Sequence, residues 1–281
     1  MTSRPIAPVS AIIPCYRCRD TIDRAFGSVA AQSRLPAELI LVDDGSGDGT
    51  LEHLHALAAR YAPGWIKVIG LPVNHGAADA RNAGWQIAAQ PYVAFLDSDD
   101  AWHPRKIELQ HGYMASHPEV ALCAHHHQIL ESPGVPQMDV GDFTAERISK
   151  TSLLLSNNFF APTMMMLKRD VPHRFLPGRR HVDDHLLWLQ ILCAGLPFVR
   201  LSARLAYTYK RPYGQGGLSG QLWEMEKAEL ENYWILRRDG CIGLPAVYAL
   251  SVYSLAKFVR RVALAEFRRF AGVFHMMRES R

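Results

Sequence analysis

Short, mainly apolar runs alternate with stretches of helical spacing through the first third of the chain. Val9–Pro14, Leu39–Val42, Trp65–Ile69 and Tyr92–Leu96 are too short for helices, and they read as strands buried on both faces. Between them, Ile22, Ala25, Phe26, Val29 and Ala30, and then Leu51, Leu54, Leu57, Ala58 and Tyr61, recur at helical intervals. Gly76–Ala89 predicts a third helix, which holds Arg81, Asn82 and Gly84. Asp20 is expected to cap the first helix, with Asp23 at its third position, and Thr50 to cap the second. Strands alternating with helices in this way imply parallel pairing through right-handed crossovers, hence an α/β fold of three layers, α/β/α, with a mostly parallel sheet.

The pattern is less regular beyond Leu96. Pro104 suits the first turn of a helix ending near His117-Pro118, and Val120–Ile129 reads as a strand. Residues 132–142, rich in Pro and Gly, predict a loop; a helix is expected over Ala145–Leu155 and a core strand over Thr163–Leu167. Leu186, Leu187, Leu189, Ile191 and Leu192 anchor a further helix, and two strands, Phe198–Leu201 and Leu205–Tyr209, follow it. A helix is expected from Gln221 to Arg238, and then a long basic amphipathic region from Leu244 to Met277. That region has three fates open to it: packing on its own protein, dimerising, or lying on a membrane surface.

Composition narrows the classes. With 281 residues, 48% of them hydrophobic, the chain can bury one large core plus a small appendage. A formal charge of +4 is too mild to argue for nucleic acid as a partner. The basic residues are uneven, however: Arg237, Arg238, Lys257, Arg260, Arg261, Arg268, Arg269, Arg278 and Arg281 crowd the last fifth of the chain. Met-Thr-Ser-Arg-Pro lacks the apolar core of a signal peptide, and no run of about 18 apolar residues could span a bilayer. The expected location is cytoplasmic, either free or peripheral on the inner face of the membrane. Five cysteines, an odd number, fit reduced thiols; Cys15 and Cys18 form C-x-x-C, but no second pair completes a zinc site. His125, His126 and His127 would point alternately to opposite faces of a strand, so they cannot all grip one ion.

The chemistry gathers where strands end. Asp97, Asp99 and Asp100 place three carboxylates within four positions, where like charges resist ionisation unless a cation holds them. Hard oxygen ligands suit Mn²⁺ or Mg²⁺, and Mg²⁺ is usually held by one or two carboxylates plus substrate phosphates. The plainer reading is an acidic turn in which Ser98 or Asp100 caps a helix. Asp43-Asp44-Gly45-Ser46 ends the second strand, and Pro14-Cys15-Tyr16 the first. In a parallel sheet such ends line one crevice, here of nucleotide size. There is no G-x-G-x-x-G after the first strand and no G-x-x-x-x-G-K-[ST], which disfavours a dinucleotide fold and a P-loop. Asp183 and Asp184 open the helix that continues through Leu189; there they are either favourable charges on a helix N-terminus or a carboxylate mounted as a general base. Lys210 and Arg211 begin a glycine-rich loop and are able to meet phosphate.

From Val9 to Tyr209 the chain resembles the family 2 glycosyltransferases, an inverting group with the GT-A fold. Five motifs in order carry the resemblance: Ser10–Tyr16, Leu41–Ser46, Gly76–Gly84, Phe95–Asp100, and Asp183-Asp184 followed by Leu187-Trp188-Leu189. It implies a glycosyltransferase domain over residues 8–210; a flexible active-site loop is expected over 211–220, and the helical, basic extension over 221–281 lies outside the resemblance. The resemblance implies that Pro14, Tyr16 and Asp44 hold the nucleotide base, that Arg81 approaches the diphosphate, and that Asp97 and Ser98 lie against the donor. Asp99, with Asp97, would bind Mn²⁺ or Mg²⁺, and Asp184 would be the catalytic base. Asp183 stands where the family often has Glu, a shorter side chain at a position that orients the acceptor. Asp43, Asp100, Asp183, Lys210 and Arg211 are accessory candidates. The implied donor is a nucleotide-diphosphate sugar, a UDP-sugar before a GDP- or dTDP-sugar, and the implied acceptor a saccharide or lipid-linked hydroxyl.

Two other functions fit parts of the pattern. A nucleotidyltransferase acting on sugar phosphates also uses strand-end aspartates and Mg²⁺, but Pro14–Arg19 has little of the glycine expected of a loop that closes over triphosphate. A non-catalytic module that binds nucleotide sugars, or adapts to membranes, would have no need of both Asp99 and Asp184.

Overall fold

A computed structural model describes residues 4–130, 132, 134–136, 139–155, 160–209 and 221–279, with side chains to residue 263. It divides into two compact units, residues 1–210 and 211–281.

The first unit is built on one nine-stranded sheet. β1 (Ile6–Cys15), β2 (Leu35–Asp43), β3 (Ile66–Gly70) and β4 (Tyr92–Phe95) form a parallel block in the order β3-β2-β1-β4. The sheet then turns mixed. β8 (Met166–Lys168) runs antiparallel to both β4 and β6 (Leu122–Ile129), while β6 and β9 (Phe198–Thr208) pair in parallel. β5 (Ala101–Trp102) and β7 (Ala145–Ile148) each run antiparallel to β9.

The apolar runs of β1 and β2 have no polar face because both faces are covered. Ala7, Val9, Ala11, Ile13 and Cys15 share one buried cluster with Leu39 and Leu41, with Ile22, Phe26 and Val29 of α1 (Ile22–Ala30), and with Leu54 and Leu57 of α2 (Thr50–Ala58). Ile107 and Met114 of α4 (Lys106–Ser116) join the same cluster. The intervening positions meet α3 (Ala77–Ile87): a Cβ added to Gly84 would lie 2.6 Å from Cγ2 of Ile12 and 3.2 Å from Cγ2 of Val42. Glycine therefore sets how closely α3 lies on the sheet. An aromatic chain extends this layer to α6 (Asp183–Cys193), with centroid separations of 5.4 Å for Trp85–Phe95, 5.2 Å for Phe95–Phe175 and 5.9 Å for Phe175–Trp188.

Several expected elements differ. Ala145–Ile148 is an edge strand, and helix α5 covers only Lys150–Leu155; a four-residue strand becomes recognisable when β9 supplies its partner. Phe198–Thr208 is one continuous strand, since its polar middle, Ser202 and Arg204, sits exposed on a pleat. The run of methionines is split between a 3₁₀ turn, Pro162–Met164, and β8. Helix α4 starts at Lys106, so Pro104 lies ahead of its first turn. Neither expected side-chain cap forms at the first two helices: Thr21 precedes α1, and the left-handed Gly49 precedes α2, where Asp48 accepts from the Thr50 N–H at 3.1 Å. The β6–β9 register shifts on either side of His126, with the extra residues, Ser202, Ala203 and Leu205, on β9.

In the second unit, α7 (Leu222–Arg238) and α8 (Leu244–Glu279) pack together, α8 without the interruption its length suggests. Glu226 accepts from Arg261 at 2.8 Å, and Trp223 meets Phe258 with ring centroids 5.6 Å apart. Among the described residues no helix is long and apolar enough to cross a membrane.

Candidate active site

The strand order reverses between β1 and β4, and a parallel sheet opens a crevice at such a point beyond the carboxyl ends of its strands. The loop after β1 and the turn after β4 face each other there. Pro14 is buried in the last positions of β1, while Tyr16 is exposed. Arg24 of α1 donates to the Asp99 carbonyl and lies 3.6 Å from the ring centroid of Tyr209. Nothing in the pattern around Arg24 marks it in advance, because its partner is 75 residues away.

The acidic end of β2 is largely engaged by its own surroundings. Asp43 accepts from the backbone N–H of Ser46 at 3.2 Å and from its hydroxyl. Asp44 is buried; it accepts from Nδ2 of Asn74 at 2.7 Å, the N–H of His75 at 2.9 Å and the N–H of Gly76 at 2.7 Å. That carboxylate draws the loop before α3 onto the sheet. Gly45 is required between them: its φ is +64°, and a Cβ there would lie 2.6 Å from the carbonyl carbon of Val73.

Arg81 lies at the centre of the charges. It is buried on α3, with Nη2 2.6 Å from Oδ1 of Asp97 and Nη1 3.7 Å from Oδ2 of Asp183. Its Cζ is 5.3 Å from the ring centroid of Phe175. Burial works against its charge, but Asp97 and Asp183 outweigh that and hold the guanidinium protonated. One cation therefore joins the acidic turn after β4 to the N-terminus of α6.

Asp183 is buried and Asp184 half-buried in the first turn of α6. The Asp184 carboxylate accepts from the N–H of His185 at 2.7 Å, yet burial and then the adjacent Asp183 push it up to about 7. Asp183 is raised too, first by burial, with Arg81 opposing. The turn that presents them is strained. Val182 is left-handed, with φ 55° and ψ 25°, a conformation a β-branched residue seldom holds. Sequence reasoning does not see this. The segment before it is tied to the β3–α3 loop by Nη2 of Arg180, 3.2 Å from Oδ1 of Asn74.

Asp100 is buried, its N–H donating to the Asp97 carbonyl at 3.0 Å. Lys210 and Arg211 lie outside the described residues. Among the described residues, no three His, Cys, Asp or Glu side chains converge to hold a metal ion. Asp97 and Asp99 are hard carboxylates of the kind that, with a diphosphate and water, would suit Mg²⁺, although Oδ1 of Asp97 is engaged by Arg81.

Acidic strand ends beside the switch point of a largely parallel sheet match the GT-A fold, and solved structures agree on that fold. The chain superposes on Staphylococcus aureus TarS (residues 1–349, in complex with UDP-GlcNAc) with a TM-score of 0.64 and 20% identity, over 88% of this chain and 71% of that one. On the mannosyltransferase PcManGT of Pyrobaculum calidifontis, in complex with GDP-Man and Mn²⁺, the TM-score is 0.65 with 16% identity, over 94% and 76%. The family described as glycosyl transferase family 2 matches residues 10–175, and the chain belongs to that family. Among its relatives, the UDP-Glc:alpha-D-GlcNAc-diphosphoundecaprenol beta-1,3-glucosyltransferase WfgD of Escherichia coli is 30% identical over 66% of this chain and 69% of its own. The putative teichuronic acid biosynthesis glycosyltransferase TuaG of Bacillus subtilis (strain 168) is 32% identical over 70% and 77%. The protein is a glycosyltransferase.

Proposed function

We propose that this enzyme transfers a sugar, with inversion, from a nucleotide-diphosphate donor, UDP-linked in preference, to a hydroxyl of a lipid-linked saccharide. The observation that carries the reading is Arg81, held between Asp97 and Asp183. It fixes one positive charge between the acidic turn and the carboxylate pair, where a diphosphate has to lie for a base on α6 to reach the far side of the sugar. The acceptor class rests on the relative named for a diphosphoundecaprenol substrate.

In this reading Pro14 and Tyr16 border the base, and Asp44 shapes that subsite through the Asn74–Gly76 loop. Asp97 and Ser98 contact the donor, and Asp99 with Asp97 holds Mn²⁺ or Mg²⁺. When bound, such a cation neutralises charge on the leaving diphosphate. Asp184 removes the proton from the acceptor hydroxyl, whose oxygen bonds to the anomeric carbon. The bond from that carbon to the diphosphate breaks as the new one forms, and its electron pair leaves with the nucleotide. Arg81 faces the charge that grows there. Asp183 steadies Arg81, and Asp43 and Asp100 support the two turns. Residues 8–210 form the catalytic domain and 221–281 an extension. Tyr248, Val252, Leu255 and Val259 make an exposed apolar stripe on α8, with the exposed Arg260 beside it. This extension rests peripherally on an anionic membrane surface, where a lipid-linked acceptor would be found.

Calorimetry of UDP binding with and without Mn²⁺ tests the donor site. Binding is expected to depend on Mn²⁺ in the native chain and to lose that dependence in Asp99→Ala; an unaltered dependence overturns the assignment.

A further inference from the structure

The transfer reaction gives no task to one face of α1. Arg24 and Ser28 stand four residues apart on that face, and Gln32 continues the line just past the end of the helix. All three meet the segment that leaves the acidic turn, in order along it. Arg24 donates to the Asp99 carbonyl, Oγ of Ser28 accepts from the N–H of Trp102 at 3.0 Å, and Nε2 of Gln32 donates to the His103 carbonyl at 2.8 Å. Oε1 of Gln32 also accepts from the N–H of Ile107 at 2.9 Å. Ser28 and Gln32 are buried, where polar side chains are costly unless partnered, and each of these partners is a backbone group of the one segment. The helix is thus a splint for residues 99–107.

Arg24 is the end of the splint nearest the carboxylates. Where Arg81 takes a carboxylate of the acidic turn, that of Asp97, Arg24 takes its backbone. The peptide it holds is fixed at both ends: the carbonyl, of Asp99, by Arg24, and the N–H, of Asp100, by the Asp97 carbonyl at 3.0 Å. With that rigid plane fixed, the backbone at Asp99 cannot swing, and the direction in which its carboxylate leaves the chain is set. The Tyr209 ring covers the guanidinium, with its centroid 3.6 Å from Cζ, and the Tyr209 hydroxyl donates to the Gly134 carbonyl at 3.0 Å. A charged donor shielded from water on that side holds a carbonyl more firmly than a neutral one.

We propose that Arg24 is a positioning residue for the divalent cation: through the Asp99 peptide it preorganises the Asp99 carboxylate to meet the cation and its diphosphate. A carboxylate whose backbone is already fixed loses less freedom when the cation arrives, and the cation binds more tightly for it. The effect on the cation rests on the proposed metal site; the hold on the turn does not.

The test uses the full chain and two readouts. Calorimetry finds the Mn²⁺ concentration that gives half-maximal UDP binding, and amide hydrogen exchange over residues 97–103 reports the turn without metal. Arg24→Met should raise that Mn²⁺ concentration about tenfold, the loss of one hydrogen bond from a charged donor, and leave metal-free UDP affinity within about twofold. Exchange of the Asp100 amide should quicken about tenfold. Arg24→Lys, which keeps a charged donor, should recover most of both effects. Arg24→Gln, which keeps an N–H without the charge, should fall between Met and Lys, and it serves if Arg24→Met does not fold. Faster exchange with an unchanged Mn²⁺ requirement overturns the link to the cation. Unchanged exchange overturns the hold on the turn. Equal losses of UDP binding with and without Mn²⁺ show a general loosening of the crevice and overturn the positioning role. A native chain that binds UDP without regard to Mn²⁺ overturns the metal reading instead, and exchange still decides what Arg24 holds.

Discussion

A buried and a half-buried carboxylate in one sheet-based domain have opposite fates. Glu38 on β2 is saturated: Oε1 accepts from Oγ of Ser10 and the N–H of Ala89, both at 2.6 Å, and Oε2 from Nζ of Lys67 at 2.5 Å. Burial alone would raise its pKa, but Lys67, Ser10 and the Ala89 N–H outweigh it and hold the carboxyl below its usual range. Among the described residues Asp184 accepts one bond, from its neighbour's N–H; burial and then the adjacent Asp183 push it up to about 7. Burial is common to both; the supply of donors differs. A carboxylate given every donor it can use is a fastener, and one kept short of them is a base poised near neutrality.

The difference is most sharply broken by Asp184→Asn. Turnover should fall by about 10²–10⁴, the contribution of a placed general base, while calorimetry finds UDP binding retained. The sign of its stability effect also follows. A carboxyl raised in the folded state contributes stability that is fully present below the ordinary carboxylate range and lost as pH rises to about 7, so the variant's melting temperature should gain on the native protein's across that window and level off above it. Unchanged turnover would remove Asp184 from the role of base.

Glu38→Ala comes next. It strands the Ser10 hydroxyl, the Ala89 N–H and Lys67, and denaturant unfolding should show a loss of about 1–3 kcal/mol. Because its pKa is lowered on folding, the stability Glu38 gives is present above the usual carboxylate range and disappears as pH falls through its folded value. A smaller change is expected of Asp183→Asn. Removing the adjacent negative charge should move the inflection in kcat/KM from about 7 toward acid, and a move toward base would refute the coupling between the two carboxylates. Smallest is Lys67→Met, whose side chain is 40% exposed; chemical denaturation should detect no more than about 1 kcal/mol.

The parallel block of the sheet was legible in advance because doubly covered strands carry unbroken apolar runs, and Ala11–Cys15 of β1, Leu39–Val42 of β2 and Tyr92–Phe95 of β4 are such runs. Asp183 and Asp184 were equally legible in the first turn of a helix, since the leucines after them recur at helical spacing. Ala145–Ile148 was not: Ala-Glu-Arg-Ile has no period of its own, and its strand state comes from pairing with Val199 and its neighbours, some fifty positions on. Asp44 differed in another way. Its motif named it as a candidate for the nucleotide base, but its hydrogen bonds to Asn74, His75 and Gly76, some thirty positions on, are carried by no local pattern.

By itself the sequence determined which segments are strands of the parallel block, where acid collects at their ends, and which helix carries a carboxylate pair. These follow from spacing along the chain, a short-range property. Only the tertiary structure decided that Arg81 stands between Asp97 and Asp183, that Val182 is left-handed ahead of them, and that among the described residues Asp184 has fewer donors than Glu38. Each of those depends on groups far apart in sequence meeting in a space that excludes water, and no local pattern records which donors will arrive.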